Sequence, residues 1–228
     1  MAEPKTSDHV LLVDKPYRWT SFDVVNKLRH VFKIKKIGHA GTLDPLATGL
    51  LIICTGKNTK RIEEFMGLEK EYTGTLVLGH ETASHDLETE PYFTADVTAL
   101  SESEIREAAA KFCGVVNQTP PSHSAIRIGG KRAYEFARKG KEAPVQPREV
   151  TVHAFEITAY QPPEATFRVV CSKGTYVRSL VRDLGKELGV GAYMSSLRRT
   201  RIGPHRIEDA QTIDQIMAAN QAPDTTTP

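Results

Sequence analysis

Apolar positions along this chain follow two spacings, and the switch between them marks the elements. Val10 to Val13 is a short apolar run that predicts a strand. Pro16 ends it, because proline has no N–H to give to a ladder. Thr20 with Asp23 has the form of a capping box, and Val24, Val25, Leu28, Val31 and Phe32 then recur at helical spacing for about three turns. A glycine-punctuated loop is expected from Gly38 to Gly49. Leu50 to Cys54 is continuously apolar, which predicts a strand buried on both faces. Lys60 to Met66 reads as a short helix, Tyr72 to Leu78 as a strand, and His80 to Pro91 as an exposed acidic loop.

The second half repeats the mixture. Ser101 with Glu104 opens a helix through Phe112 that stops at Gly114, and Gln118 to Ser122 is a proline-bearing loop. Ala133 to Arg138 predicts a short basic helix with Gly140 as its left-handed cap. Val150 to Ala159 and Thr166 to Cys171 read as strands joined by a turn at Gln161-Pro162-Pro163-Glu164. Val177, Leu180, Val181, Leu184 and Leu188 form a helical stripe stopped by Gly189, and Met194 to Ile202 predicts a last strand. Gln221 to Pro228 is expected to be a disordered tail. There is no internal repeat and no steady βαβ alternation. The class predicted is α+β, with a mixed, mostly antiparallel central sheet flanked by helices and loops.

Composition narrows the function classes. The 228 residues, 39% hydrophobic and 25% charged, suit one large domain or a domain with an appendage. Such a chain hides roughly 70% of its surface and needs no disulfide or metal to stand. Cys54, Cys113 and Cys171 lie far apart with no C-x-x-C, which argues against a disulfide scaffold or a zinc site and suits a reducing cytoplasm. The longest apolar run is too short to span a bilayer, and the polar start MAEPKTSDH lacks a signal-peptide core.

The formal charge of +2 says little, but its distribution says more. Glu63 to Glu107 holds twelve acidic and two basic residues. Arg168 to Arg206 holds nine basic and two acidic, and Arg127 to Arg148 seven basic and two acidic. Two basic stretches that both carry tyrosines suggest a side that faces a polyanion, against the plainer reading of solvated surface.

Five segments invite a chemical reading. In Gly38 to Gly49, Pro45 pushes Asp44 out of helical geometry. Asp44 is then either an aimed carboxylate or the cap of its own Asx turn, and His39 either a structural or a reactive histidine. The loop lacks both G-x-x-x-x-G-K-[ST] and G-x-G-x-x-G, so it is no phosphate cradle. Tyr176 opens a helix with Arg178 two residues on, placing a ring and a guanidinium beside a neighbouring loop, unless they are a core tyrosine and a surface arginine. Tyr72, in Lys70-Glu71-Tyr72, is an aromatic entering a strand among charges. His80, His85 and Asp86 lack the H-E-x-x-H spacing of a metal site. Ser122-His123-Ser124 lacks a G-x-S-x-G elbow. A glycosidase would need a second carboxylate that no motif supplies.

Taken together, the run GHAGTLDPLATGLLIICTG, Gly38 to Gly56, closely resembles the active-site motif of the TruB family of tRNA pseudouridine-55 synthases. Other motifs agree in order: DKP at Asp14 to Pro16, KEY at Lys70 to Tyr72, PSHSA at Pro121 to Ala125, GKRAYEFARKG from Gly130 to Gly140. SKGTYVRSLVRDLG follows from Ser172 to Gly185, and LRRT from Leu197. The resemblance covers about Val10 to Ile207.

The resemblance implies a pseudouridine synthase fold and an isomerase that converts uridine-55 in the T-loop of tRNA. It implies Asp44 as the catalytic aspartate and His39 as the histidine that meets the target nucleotide. Tyr72 would stack on the target base, Tyr176 and Leu197 would line the uridine pocket, and Arg178 would pair with the aspartate. A catalytic domain over 1–212 is expected, with a basic insertion at about 119–148 that closes on the T-arm stem-loop. Residues 213–228 would be a helix remnant and tail without a PUA domain. The expected partner is tRNA, bound by a cytoplasmic monomer with no DNA, no membrane, no cofactor and no metal. The rival reading is a non-catalytic tRNA-binding or folding protein, for which the basic patches alone would suffice.

Overall fold

The computed structural model describes residues 8–121, 127–128, 131–132 and 145–221. The chain divides into two compact units, residues 1–70 with 198–228, and residues 71–197.

The first unit is organised by the strand Thr48–Thr55. Along one edge it pairs antiparallel with Val10–Lys15, in the register Val10↔Cys54 to Lys15↔Gly49. On the other edge it pairs antiparallel with Ile37–Ala40 and, nearer its start, parallel with Arg198 and Arg199. Val10–Lys15 also pairs parallel with Gln211–Thr212.

Side chains alternate across a strand, so an uninterrupted apolar run needs a core on each face. That is what Leu50 to Cys54 has. Leu51 and Ile53 join Val13, Val24, Val25, Leu28, Ile213 and Ile216. Leu50, Ile52 and Cys54 join Ala40, Phe65 and Ile202 on the other side. Each fully buried aliphatic side chain stabilises the fold by about 1.5–3 kcal/mol relative to exposure.

The helix Ser21–Phe32 begins with the expected capping box. The Thr20 hydroxyl accepts from the Asp23 N–H (3.0 Å), and the Asp23 carboxylate accepts from the Thr20 N–H (2.8 Å). The helix Ile62–Gly67 follows a tight 3₁₀ turn, Gly56–Arg61. Its last carbonyls are capped by the buried Lys70 ammonium, 2.6 Å from both Met66 O and Leu68 O. A helix Ile213–Gln221 ends the described chain.

In the second unit the strands Lys70–Leu78, Glu164–Cys171, Arg148–Gln161 and Gly114–Gln118 lie side by side in that order. Arg148–Gln161 pairs antiparallel with both of its neighbours. The start of the strand Ala192–Ile202 meets Lys70–Leu78: the Thr75 N–H donates to Ser196 Oγ (3.0 Å), and the Ser195 hydroxyl donates to Thr75 O (3.2 Å). The helix Glu102–Ala110 carries the capping box of Ser101 and Glu104, and Val177–Glu187 buries Val177, Leu180, Val181 and Leu184. Helices and strands are interspersed and both pairing senses occur, so the α+β class and its mixed sheet hold.

Three expectations change. Residues 37–40 form a strand instead of the start of a loop: Gly38 sits in register with Cys54, and an added Cβ would lie 2.9 Å from the Ile62 side chain. Gly114–Gln118 is an edge strand that the prolines just after it obscured; its exposed Val115 shows no period-2 burial to read. The segment 80–91 is not simply an exposed loop, because Thr82, Ser84 and Asp86 are buried in it. Residues 133–140, 222–228, Ser122-His123-Ser124 and most of the 119–148 insertion lie outside the described residues.

No helix among the described residues is long and apolar enough to cross a membrane. Cys54 and Cys171 are buried and free, and Cys113 is exposed and free.

Candidate active site

Asp44 and Pro45 open a four-residue turn that the main chain closes, the Ala47 N–H donating to Asp44 O (3.1 Å). Proline at the second position and aspartate at the first suit such a turn. Side chains from elsewhere then hold the backbone around it. The buried Ser21 hydroxyl accepts from the Leu43 N–H (2.9 Å) and donates to Leu43 O (3.2 Å). The Lys15 ammonium donates to Pro45 O (3.3 Å), Pro16 O (3.0 Å) and Trp19 O (2.6 Å). Arg199, 1% exposed, donates to Leu50 O (2.7 Å), Gly41 O (3.2 Å) and Thr42 O (3.4 Å). Gly49, at φ +101°, closes the loop where only glycine fits: a Cβ there would lie 2.3 Å from Arg199 O.

Electrostatics follow from this packing. Burial lowers the Lys15 pKa to about 8; the Asp44 carboxylate opposes that shift, and Arg199 adds to it. His39, on the strand Ile37–Ala40, has its pKa lowered first by burial and then by Arg199, so it is neutral at pH 7. Its Nδ1 is buried with no hydrogen-bond partner among the described residues. The half-buried Asp44 turn and the strand that carries His39 therefore lie beside two buried cations, Lys15 and Arg199, which bond to main-chain carbonyls.

The remaining sequence-predicted residues belong to the second unit. Tyr72 is buried on Lys70–Leu78 beside Glu71, which pairs with Arg168 (2.7 Å). Tyr176 caps the helix Val177–Glu187, and Gln118 clamps its backbone: the Tyr176 N–H donates to Gln118 Oε1 (2.7 Å), and the Gln118 amide donates to Tyr176 O (3.0 Å). The Arg148 guanidinium lies over the Tyr176 ring, 4.8 Å from its centroid. Arg178 is 3% exposed, pairs with the equally buried Asp86 (3.4 Å) and donates to Ser84 O (3.0 Å). The hydroxyls of Thr82 (2.7 Å) and Ser84 (3.0 Å) both donate to Asp86 O, fixing the segment that carries this carboxylate. The neighbouring His85, at φ 62°, has its pKa lowered to about 4, first by burial and then by Arg182 and Arg178. Leu197 is buried on Ala192–Ile202.

Lys15, Ser21 and Arg199 were not singled out by their residue types, and Asp86 was weighed only as a metal ligand beside His80 and His85. Their partners are main-chain groups or a charge more than ninety positions away, which residue type alone does not reveal.

The basic stretch 168–206 also has a role inside the fold. Arg168 pairs with Glu71 and Glu156, Arg178 with Asp86, Arg182 with Asp183, Arg198 with Asp14 and Arg201 with Glu69, while Arg199 is buried. Much of the charge segregation along the sequence is thus complementary pairing.

Among solved structures, the chain is similar to one described as a Cbf5-Nop10-Gar1 complex, with TM-score 0.72 and 30% identity over 92% of this chain and 53% of that one. It is also similar to an H/ACA RNP bound to a substrate RNA containing 2'-deoxyuridine, with TM-score 0.69 and 28% identity over 92% and 52%. It therefore spans about half the length of those solved chains. The family model for the "TruB family pseudouridylate synthase (N terminal domain)" matches residues 29–177, and that for the "tRNA pseudouridylate synthase B C-terminal domain" matches residues 178–226.

The relative named tRNA pseudouridine synthase B from Flavobacterium johnsoniae is 51% identical over 208 residues, covering 88% of this chain and 91% of that one. Its counterpart from Chloroherpeton thalassium is 50% identical over 212 residues, covering 91% and 88%. Fold and family models together define a pseudouridine synthase, an enzyme that isomerises uridine to pseudouridine. The chain belongs to the TruB family.

Proposed function

We propose that this enzyme acts on tRNA, isomerising uridine-55 of the T-loop with Asp44 as the catalytic residue. The observation that carries the reading is the Asp44 turn, in which one carboxylate stands on a backbone braced by Ser21, Lys15 and Arg199. The names of relatives near 50% identity support tRNA as the substrate.

The reaction breaks N1–C1′, turns the uracil, joins C5 to C1′, and moves one proton from C5 to N1. Atoms and electrons balance within the nucleotide, so no second substrate is required. A carboxylate serves this sequence whether it attacks C1′, attacks C6 or removes a proton, because it leaves again at the end.

The other residues act on the same nucleotide. Tyr72 stacks on the flipped base, and base–aromatic stacking is worth about 1–3 kcal/mol. Tyr176 and Leu197 line the uracil pocket and keep water from the activated sugar. His39, neutral at pH 7, meets the target nucleotide. The family motif gives Arg178 as the partner of the aspartate, and the buried Asp86 holds its guanidinium (3.4 Å). The T-arm of tRNA is the partner, and the enzyme works as a cytoplasmic monomer. The rival reading, a binding protein without chemistry, has no use for a carboxylate held this way.

The test is incubation of the pure protein with unmodified tRNA and with a T-arm stem-loop, followed by mapping of pseudouridine. Product at the T-loop uridine, abolished by Asp44→Asn in a folded variant, is the expected result. Full activity of Asp44→Asn would overturn the assignment, and product at another position would overturn the T-loop substrate.

A further inference from the structure

Beside the strand-to-helix turn of the first unit lies a cavity of about 550 Å³. That volume falls within the range of ligand pockets, about 300–1,000 Å³. Pro16, Trp19, Ile213 and Met217 give it apolar walls, and polar and charged side chains make up the rest of the lining. The charges at its edge divide into committed and available ones. Arg198 is bound bidentately by Asp14 (2.7 and 3.1 Å), and the Lys15 ammonium is committed to its three carbonyls. Lys27 is exposed on Ser21–Phe32 and makes no ion pair among the described residues. Asp214 stands in the first turn of Ile213–Gln221, and the cations on the lining outnumber the carboxylates by one. An indole wall with a free ammonium at the rim matches a planar base that carries a phosphate.

The chain that runs beside the lining residues Pro16 and Trp19 has the same character. Tyr17 is 50% exposed and Phe22 59% exposed, and the Arg18 guanidinium lies 5.6 Å from the Tyr17 ring centroid. Aromatic faces interleaved with cations are the platform on which unpaired nucleotides stack.

We infer that this cavity is a second nucleotide site, separate from Asp44, that takes one nucleoside monophosphate unit with its base against Trp19 and its phosphate toward Lys27. The unit is either an unpaired nucleotide of an RNA strand or a free nucleotide, since both present the same chemistry. Occupancy does not depend on the chemistry at Asp44.

Trp19 is the sole tryptophan of the chain, so its emission reads the cavity directly. The whole protein is titrated with UMP, AMP, a five-nucleotide single-stranded RNA and an acidic peptide of matched charge. Saturable quenching by nucleotides is expected, weakened about tenfold in Lys27→Glu by loss of one charge-assisted contact. Lys27→Ala, which adds no repulsion, should weaken it less.

Tighter binding of the oligonucleotide than of the mononucleotides identifies RNA as the occupant, and equal affinities identify a free nucleotide. Asp44→Asn should bind as the wild type does, which separates this site from the catalytic one. Lys27→Glu at saturating tRNA should keep its single-turnover rate. Absence of quenching up to millimolar nucleotide, quenching indifferent to both Lys27 variants, or quenching by the peptide alone would overturn the inference.

Discussion

Lys15→Met is the sharpest perturbation of the braced turn, because it removes the one ammonium that ties the Pro16–Trp19 segment to Pro45. Two effects compete. Lys15 is fully buried, and relieving a buried charge stabilises. Against that, three carbonyls lose a charged donor at 2.6, 3.0 and 3.3 Å. Hydrogen bonds to charged groups are worth about 1.5–3 kcal/mol each, and a buried orphaned carbonyl costs about 1–3 kcal/mol. With three acceptors against one ion, the loss wins, and a net destabilisation of about 2–4 kcal/mol is expected at pH 7.

The pH dependence gives a second handle. The folded pKa, about 8, lies below the ordinary value of 10.5. Between those values the unfolded chain holds a proton that the folded protein has released, so wild-type stability rises with pH across that window. Methionine has no such proton. The gap between wild type and variant should therefore be flat below pH 8 and widen from pH 8 to about 10 in urea unfolding. Single-turnover conversion should slow at least about tenfold in the variant, as the Asp44 turn loses one anchor. Equal stability at pH 7, or a gap that does not change between pH 7.5 and 10, would refute this account.

Two further substitutions probe other supports. Gly49→Ala puts a Cβ 2.3 Å from Arg199 O at φ +101°, in a strand pairing that leaves no room to shift; a loss of about 3 kcal/mol or more is expected by thermal unfolding, and a wild-type Tm would contradict it. Asp86→Asn and Arg178→Met, each made alone and then together, should show a coupling of at least about 1 kcal/mol in unfolding free energy, since the pair is 3.4 Å apart and nearly solvent-free. Additivity within about 0.5 kcal/mol would mean that the two do not interact.

How far the fold was legible depended on whether the signal was local. Both capping boxes could be read because Thr20–Asp23 and Ser101–Glu104 are three residues apart and close on themselves. Leu50 to Cys54 could be read because a strand between two cores needs an apolar residue at every position. Asp86 could not, because an aspartate in an acidic stretch looks solvated until Arg178 is brought to it from 92 positions away. Arg199 looks equally like surface charge, yet it is buried on the carbonyls of Gly41, Thr42 and Leu50. Asp44, His39, Tyr72 and Arg178 came from motif order, which names the residues without showing what supports them.

The support explains why a carboxylate on a loop can do chemistry at all. A catalytic group must keep its aim while its own charge or covalent state changes. A turn held only by an Asx cap would be released at the moment of reaction, when the carboxylate is protonated or esterified. Here the main-chain bond from Ala47 closes the turn, Ser21 holds Leu43, Lys15 holds Pro45, and Arg199 holds Gly41 and Thr42. Every one of those bonds survives a change at the carboxylate. Losing a brace should therefore lower the rate while Asp44 itself remains intact, and losing the carboxylate should leave the turn standing. Asp44→Asn and Lys15→Met differ in that respect: the first is expected to abolish chemistry while the main-chain bonds of the turn persist, the second to lower both rate and stability.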